Sequence, residues 1–150
     1  MVVNPKSTDP LYISHPLITH RAALQAIEAA IHHAELLAIK VVVAVVDSQG
    51  ALTGFARMPG AFLISHEMAI KKARSVAGCG ITAAELEQVL EASGQRVRDG
   101  LLSHRDLTLV RGGLPIRIDG QLIGAVAVSG GSESEDEACA RAALIALGAC

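Results

Sequence analysis

The stretch that most restricts the fold of this chain is Gly113–Ser132, with the sequence GLPIRIDGQLIGAVAVSGGS. Two apolar segments flank Asp119-Gly120, a pair that suits a two-residue hairpin turn because both positions can take positive φ. The second segment, Leu122–Val128, consists almost entirely of small and β-branched residues, which predicts a central strand covered on both faces. Two glycines end this strand, and Ser132 and Glu135 then have the spacing of a helix capping box. The stretch therefore predicts a hairpin followed by a capped helix, and by itself it specifies no chemistry.

The composition favours an aliphatic core and argues against two kinds of partner. A chain of 150 residues is long enough for one domain with a substantial core. Hydrophobic residues make up 51% of it but aromatic residues only 2%, which argues against base-stacking nucleic-acid modules. The net charge of −2 implies no surface that follows phosphates. The longest apolar run, Val41–Val46, is too short to cross a bilayer, so we expect neither nucleic acid nor membrane as a partner.

The cysteines predict the compartment of this protein. Cys79, Cys139 and Cys150 are far apart, odd in number and without the spacing of a metal site. This usage is typical of a reduced, cytoplasmic protein, and it predicts no preformed metal site. The first ten residues contain no basic segment leading into an apolar one, so we expect no secretion signal.

The remaining pattern predicts an arm followed by one α+β domain. Residues 1–16, with three prolines, read as a loose arm or one laid over a partner, and residues 17–150 as the domain. Thr19 is expected to cap a helix reaching Ala38, with a buried face formed by Leu24, Ile27, Ile31, Ala34 and Ala38. We expect the later elements in this order: strands 41–46 and 51–57, helices 65–77 and 82–92, strand 107–110, the two hairpin strands and helix 133–147. The last helix is expected to bury Ala138, Ala142, Ile145 and Ala149, and residues 94–106 fit no element.

Five segments together resemble a known family. They are VVAVVDSQG at 42–50, FARM at 55–58, AIKKA at 69–73, GGLPI at 112–116 and DGQLIGAVAVSGGSESEDE at 119–137. In this order they resemble the GlcG/HbpS-like heme-binding family, which includes the C-terminal domain of PduO-type corrinoid adenosyltransferases. The resemblance covers about residues 17–148. It implies a profilin-like, five-stranded, mostly antiparallel sheet with helices on both faces, in the order α-β-β-α-α-β-β-β-α. It also implies a homo-oligomer and a heme or tetrapyrrole ligand, although some members have no settled activity.

The sequence departs from the family pattern at two loops. Many relatives read Arg-x-Asp-Gly after the second strand, whereas this chain has Arg57-Met58-Pro59-Gly60 and lacks the acidic group. Relatives commonly place proline before the Gly-Gly turn, where this chain has Arg111. The extra charge at that loop could alter which ligand is bound.

Histidines and arginines near element ends are the candidate site residues. Heme iron accepts an imidazole as axial ligand, and His66, His104 and His20 lie where pockets commonly form. Each could equally be a surface or capping histidine. A guanidinium holds a carboxylate well, so Arg57 is the strongest candidate for binding a propionate or an acid substrate. The further candidates for carboxylate binding or close ligand approach are Lys72, Arg74, Arg111, Gly112 and Gly113.

Two functions from different classes fit these residues. The first is a small oligomeric heme-binding or accessory protein of a catabolic pathway, which the resemblance favours. The second is an isomerase or hydrolase acting on a small carboxylated metabolite, with Arg57 anchoring the acid and His66 or His104 transferring a proton. A third, purely structural partner of another enzyme also fits. Cys79 follows a basic helix end, so its thiol could have a low pKa, although a small buried filler is the commoner role of such a residue.

Overall fold

The computed structural model describes residues 10–149, which form one antiparallel sheet with helices on both of its faces. In chain order the elements are α1 (His20–Leu36), β1 (Val42–Asp47), β2 (Leu52–Arg57), α2 (Ile64–Cys79), α3 (Ala83–Glu91), α4 (Gln95–Leu102), β3 (Gly113–Ile118), β4 (Gln121–Ser129) and α5 (Glu133–Leu147). The sheet has the strand order β2-β1-β4-β3. Within residues 10–149 no helix combines the length and the apolar character needed to cross a membrane.

The two central strands, β1 and β4, are buried on both faces, as the sequence predicts. They pair in register, with Val45 opposite Val126 and Ala44 opposite Ala127. Side chains alternate along a strand, so the two faces of the sheet carry different residues. Four valines pack against α1 and α5, namely Val43, Val45, Val126 and Val128. On the other face, Val42 and Val46 pack against α2. The face toward α2 contains Ala44 and Ala127, so that helix approaches the sheet closely.

Turns and caps form where the local sequence predicts them. Asp119 and Gly120 have φ values of 51° and 76°, the positive angles of a two-residue hairpin turn. Ser132 and Glu135 form a complete capping box on α5, and Thr82 and Glu85 form another on α3. Thr19 caps α1 through a hydrogen bond that its hydroxyl accepts from a backbone N–H of the first turn.

The expectation of five strands is wrong, because residues 107–110 do not join the sheet. The Ser75 hydroxyl, on α2, accepts a hydrogen bond from the Thr108 N–H at 3.1 Å and donates one to the Thr108 carbonyl at 3.3 Å. These bonds occupy the backbone groups that a strand would offer to a neighbour. The unassigned residues 94–106 contain α4, so the observed order is α-β-β-α-α-α-β-β-α.

The buried faces of α1 and α5 also differ from the predicted ones. Leu24 and Ile145 are exposed, and the two helices contact each other through smaller residues. The buried residues are Ala23, Ala26, Ile27, Ala30 and Ala34 in α1, and Asp136, Cys139, Ala140, Ala143 and Leu144 in α5. Alanine lets the helix axes come close, so the larger aliphatic side chains are displaced to the flanks.

The start of the described chain runs along the sheet without regular structure. The Ile18 N–H donates to the Ile123 carbonyl at 2.9 Å, and the Ser48 hydroxyl donates to the Pro16 carbonyl at 2.7 Å. Leu11, Tyr12 and Ile13 are exposed. Residues 1–9 of the predicted arm and Cys150 lie outside the described residues, so the boundary between arm and domain stays a prediction.

Candidate functional site

His66 and Arg57 lie together at one end of β2. Strand β2 ends at Arg57, and α2 starts seven residues later and runs back over the same face of the sheet. The ring of His66, in the first turn of α2, contacts the ring of Phe55, with centroids 4.6 Å apart and planes inclined by 52°. The Arg57 guanidinium donates to the Ala61 carbonyl, which fixes the intervening loop. The edge strand β2 thus positions an imidazole and a cation at one rim of the sheet.

An exposed apolar surface adjoins this imidazole. Phe62, Leu63 and Ile64, here called the 62–64 surface, are 67%, 80% and 68% exposed. A shallow groove of about 650 Å³ is lined by Leu63, Ile64, His66 and Glu67. Apolar side chains presented to water in a continuous run typically mark a binding surface. An imidazole is a nitrogen donor that heme iron can accept as axial ligand, and here it lies beside an apolar surface.

His104 lies at the opposite end of β2, in a different groove. The His104 Nδ1 accepts a hydrogen bond from the Asp106 N–H at 3.1 Å. This groove, between the β1–β2 turn and the ends of α2 and α4, also contains Arg74 and Cys79. His104 and Arg57 therefore do not share one site. His66 remains the histidine that the fold places beside Arg57.

His20 lies in a third place. It is the first residue of α1, is exposed, and belongs to the helix layer that covers the face of the sheet opposite α2. The three predicted histidines thus occupy three separate positions around the sheet.

Arg111 and the two glycines after it are engaged with the protein itself. The Arg111 N–H donates to Glu133 Oε1 at 3.1 Å, and its guanidinium lies 3.4 Å from a carboxylate oxygen of Glu87. Gly112 has a φ of +128°, and a Cβ there would lie 2.9 Å from the Lys72 Nζ and 2.7 Å from the Val128 carbonyl oxygen. The glycine leaves room for a buried lysine, which is a packing role.

A buried ion pair between Lys72 and Asp136 is the feature that the sequence analysis missed. The Lys72 Nζ lies 2.9 Å from Asp136 Oδ2, and the side chains are 2% and 3% exposed. Burial raises the pKa of the Asp136 carboxyl, although the Lys72 ammonium and the Gly131 N–H act in the opposite direction. A signal was present, since Lys72 lies three residues after Ala69 and four before Val76, on the buried face of α2. The predicted role of Lys72 toward an external carboxylate is wrong, because its partner is internal.

The cysteines of the described chain offer no activated thiol. Cys79 is exposed, and partial burial of its sulfur raises the pKa of the thiol, so a low-pKa nucleophile is not supported. Burial raises the pKa of the Cys139 thiol to about 11. Both side chains are uncharged thiols at neutral pH.

Comparison with known proteins gives the family. The family model described as "Haem degrading protein HbpS-like" matches residues 18–145. The chain belongs to the HbpS-like family. The match confirms the resemblance to this family that the sequence motifs indicate. Corrinoid adenosyltransferase PduO of Salmonella typhimurium is 37% identical over 125 residues, which are 82% of this chain. The chain spans only 37% of the length of that relative.

Two solved structures share the HbpS-like fold of this chain closely. The crystal structure of a PduOC:heme complex matches 89% of this chain and 97% of its own, with a TM-score of 0.80 and 31% identity. The crystal structure of Klebsiella pneumoniae protein ORFY matches 96% of this chain and 99% of its own, with a TM-score of 0.86 and 29% identity.

Proposed function

We propose that this HbpS-like chain binds heme or a related tetrapyrrole, as a small oligomeric carrier or accessory protein of a catabolic pathway. The observation that carries the proposal is the likeness to PduOC, which was crystallised with heme and matches nearly nine-tenths of this chain. Fold alone does not transfer function, so the proposal also depends on residues of this chain that suit the ligand.

His66 is the residue that we propose as axial ligand. Its imidazole is half-buried against Phe55 and borders the 62–64 surface, which offers the apolar contact that a porphyrin face needs. The Met58 sulfur, in the residue that follows Arg57, is buried and accepts the Val41 N–H at 3.4 Å. That sulfur is engaged within the fold, whereas the His66 imidazole borders the groove.

Arg57 is the residue that we propose for a propionate. Within residues 10–149 its guanidinium donates to the Ala61 carbonyl alone, and it has further N–H groups to offer a carboxylate. The loop Arg57-Met58-Pro59-Gly60 contains no carboxylate that would compete for Arg57. Glu67 also lines the His66 groove, and its carboxylate disfavours a propionate beside it.

A titration with hemin tests the proposal. We expect the purified chain to give a sharpened, shifted Soret band at one heme per protomer, and the His66→Ala variant to lose this shift. His104→Ala and His20→Ala are matched controls that should keep the spectrum, because these residues lie elsewhere on the fold. A Soret band that His66→Ala leaves intact removes His66 as ligand, and an absent Soret shift in the parent chain overturns heme binding.

Catalysis on a small carboxylated metabolite has no observation in the described residues that favours it over binding.

We further propose that the chain forms a homo-oligomer in the cytoplasm. The exposed apolar residues Leu11, Tyr12 and Ile13 support self-association, and the free thiols of Cys79 and Cys139 support a reducing compartment. Light scattering during size-exclusion chromatography measures the oligomeric mass directly.

A further inference from the structure

A second groove, remote from His66, has the features of a ligand site. It has a volume of about 650 Å³ and lies between the β1–β2 turn, the last turns of α2 and the end of α4. This volume is in the range typical of small-molecule sites. Leu101, Leu107 and Ala51 supply apolar walls, while Arg74 and His104 supply polar groups. We call it the Arg74 groove.

Two helical glycines face the Arg74 groove without any packing reason. Gly78 lies in α2 and Gly100 in α4, and a Cβ at either position would meet nothing within 4 Å. Glycine inside a helix is less favourable than alanine by about 1 kcal/mol. Neither residue has the positive φ that would require glycine. The two positions keep the groove open at a cost that the isolated fold does not explain.

The polar groups of the groove favour an anion. The Arg74 Nε donates to the Gly50 carbonyl at 3.3 Å, which holds the guanidinium against the β1–β2 turn. Its Nη1 forms an ion pair with an Asp106 carboxylate oxygen at 4.0 Å, which is longer than a hydrogen bond, so the terminal N–H groups can still donate to a ligand. Because the His104 Nδ1 accepts the Asp106 N–H, the neutral ring carries its proton on Nε2 and offers a second donor.

We propose that the Arg74 groove binds a small aliphatic carboxylate. The guanidinium of Arg74 and the Nε2–H of His104 hold the carboxylate, and the leucines and the open glycine positions accept a short hydrocarbon tail. Asp106, in an ion pair with Arg74, offsets part of the positive charge of the guanidinium, so the groove suits one carboxylate group better than two. The ligand is therefore a monocarboxylate. This site is independent of the heme proposal, because His66 and Arg57 lie at the other end of β2.

An NMR titration of the full chain with butyrate tests this site, with butyramide as the uncharged probe of nearly equal shape. We expect butyrate, but not butyramide, to shift the amide signals of Gly50, Gly78 and Gly100 in a saturable way. Arg74→Gln should weaken butyrate binding by roughly tenfold or more, the usual effect of losing a hydrogen bond to a charged group. Gly78→Leu should abolish binding by filling the groove.

The control for Gly78→Leu is Gly94→Leu, a position where an added Cβ also meets nothing within 4 Å but which does not line the groove. Gly94→Leu should bind butyrate as the parent does. Equal binding of butyramide, tighter binding of inorganic phosphate, or retained binding in Gly78→Leu would overturn the proposal. It is also overturned if Gly78→Leu changes the oligomeric mass, because the glycines would then serve a subunit contact. Displacement of butyrate by one equivalent of hemin would show that the groove is part of the heme site instead.

Discussion

The ammonium of Lys72 lies 2.9 Å from the carboxylate of Asp136, and this pair connects α2 to α5 across the end of the sheet. The same ammonium donates to the Val128 carbonyl at 2.9 Å, at the end of β4. The second oxygen of Asp136 accepts the Gly131 N–H at 2.8 Å. Lysine thus satisfies the Val128 carbonyl near the end of the strand, while aspartate holds the Gly130-Gly131 corner that precedes α5. The pair therefore fixes the end of the stretch Gly113–Ser132, where β4 leads into α5.

Removal of one partner of this pair should destabilise the protein strongly. Lys72→Met leaves the Asp136 carboxyl buried without its cation, and breaking a buried pair in this way costs about 3–5 kcal/mol. Urea unfolding followed by circular dichroism measures the loss. The double variant Lys72→Met with Asp136→Leu should recover much of it, because no buried charge then remains unpaired. A single variant as stable as the parent would contradict this account of the corner.

Gly112 and Gly78 should respond in opposite ways to alanine. Gly112→Ala places a Cβ 2.7 Å from the Val128 carbonyl oxygen at a φ of +128°, so we expect a loss of about 2 kcal/mol or more. Gly78→Ala meets nothing within 4 Å and should stabilise α2 by up to about 1 kcal/mol. Thermal unfolding of both variants beside the parent gives the comparison. Equal shifts in the melting temperature would mean that position 112 is not sterically restricted to glycine.

Local signals predicted the parts of the fold that local chemistry determines. The Asp119-Gly120 turn and the two capping boxes form from residues within four positions of one another, so the sequence reveals them directly. The sheet edge was not predictable in this way. Whether residues 107–110 form a strand depends on Ser75, which is 33 positions away from its partner Thr108.

Side-chain burial was predictable only in part, for the same reason. Leu24 and Ile145 have helical spacing and are apolar, yet the close contact of α1 with α5 selects the alanine faces instead. Lys72 has the spacing of a buried residue but the charge of an exposed one, and its partner Asp136 is 64 positions away. The candidate site was the least predictable part. Arg57, His66 and His104 all lie near element ends, and only the fold shows that His66 lies at the same end of β2 as Arg57.

The capping glutamates should contribute to stability in a pH-dependent way. Hydrogen bonds from the backbone N–H and the hydroxyl of Ser132 lower the pKa of Glu135 below the ordinary glutamate value of 4.5. A carboxyl whose pKa is lower in the folded state adds stability above its unfolded pKa, and this contribution is lost as the pH falls through the folded pKa. Glu135→Gln keeps an acceptor for the N–H but does not titrate. We expect a shallower fall in the free energy of unfolding below pH 4.5 for this variant, measured by urea unfolding across the acid range. Parallel curves for variant and parent would show that the box does not titrate with folding.

Ser75 should control the segment that leads from α4 to β3. Ser75→Ala removes the hydroxyl that bonds both backbone groups of Thr108, and it leaves a buried N–H and a buried carbonyl without partners. Such a loss costs about 1–3 kcal/mol, and we expect faster amide hydrogen exchange at Thr108 together with reduced stability toward urea. Ser93→Ala is the matched control: its hydroxyl donates to the Val89 carbonyl on an exposed helix end, so its effect should stay within about 0.5 kcal/mol.

Because His104 and Leu107 belong to the same segment and line the Arg74 groove, Ser75→Ala should also weaken butyrate binding, whereas Ser93→Ala should not. Unchanged exchange at Thr108 in Ser75→Ala would mean that the sheet excludes this segment for a reason other than the serine.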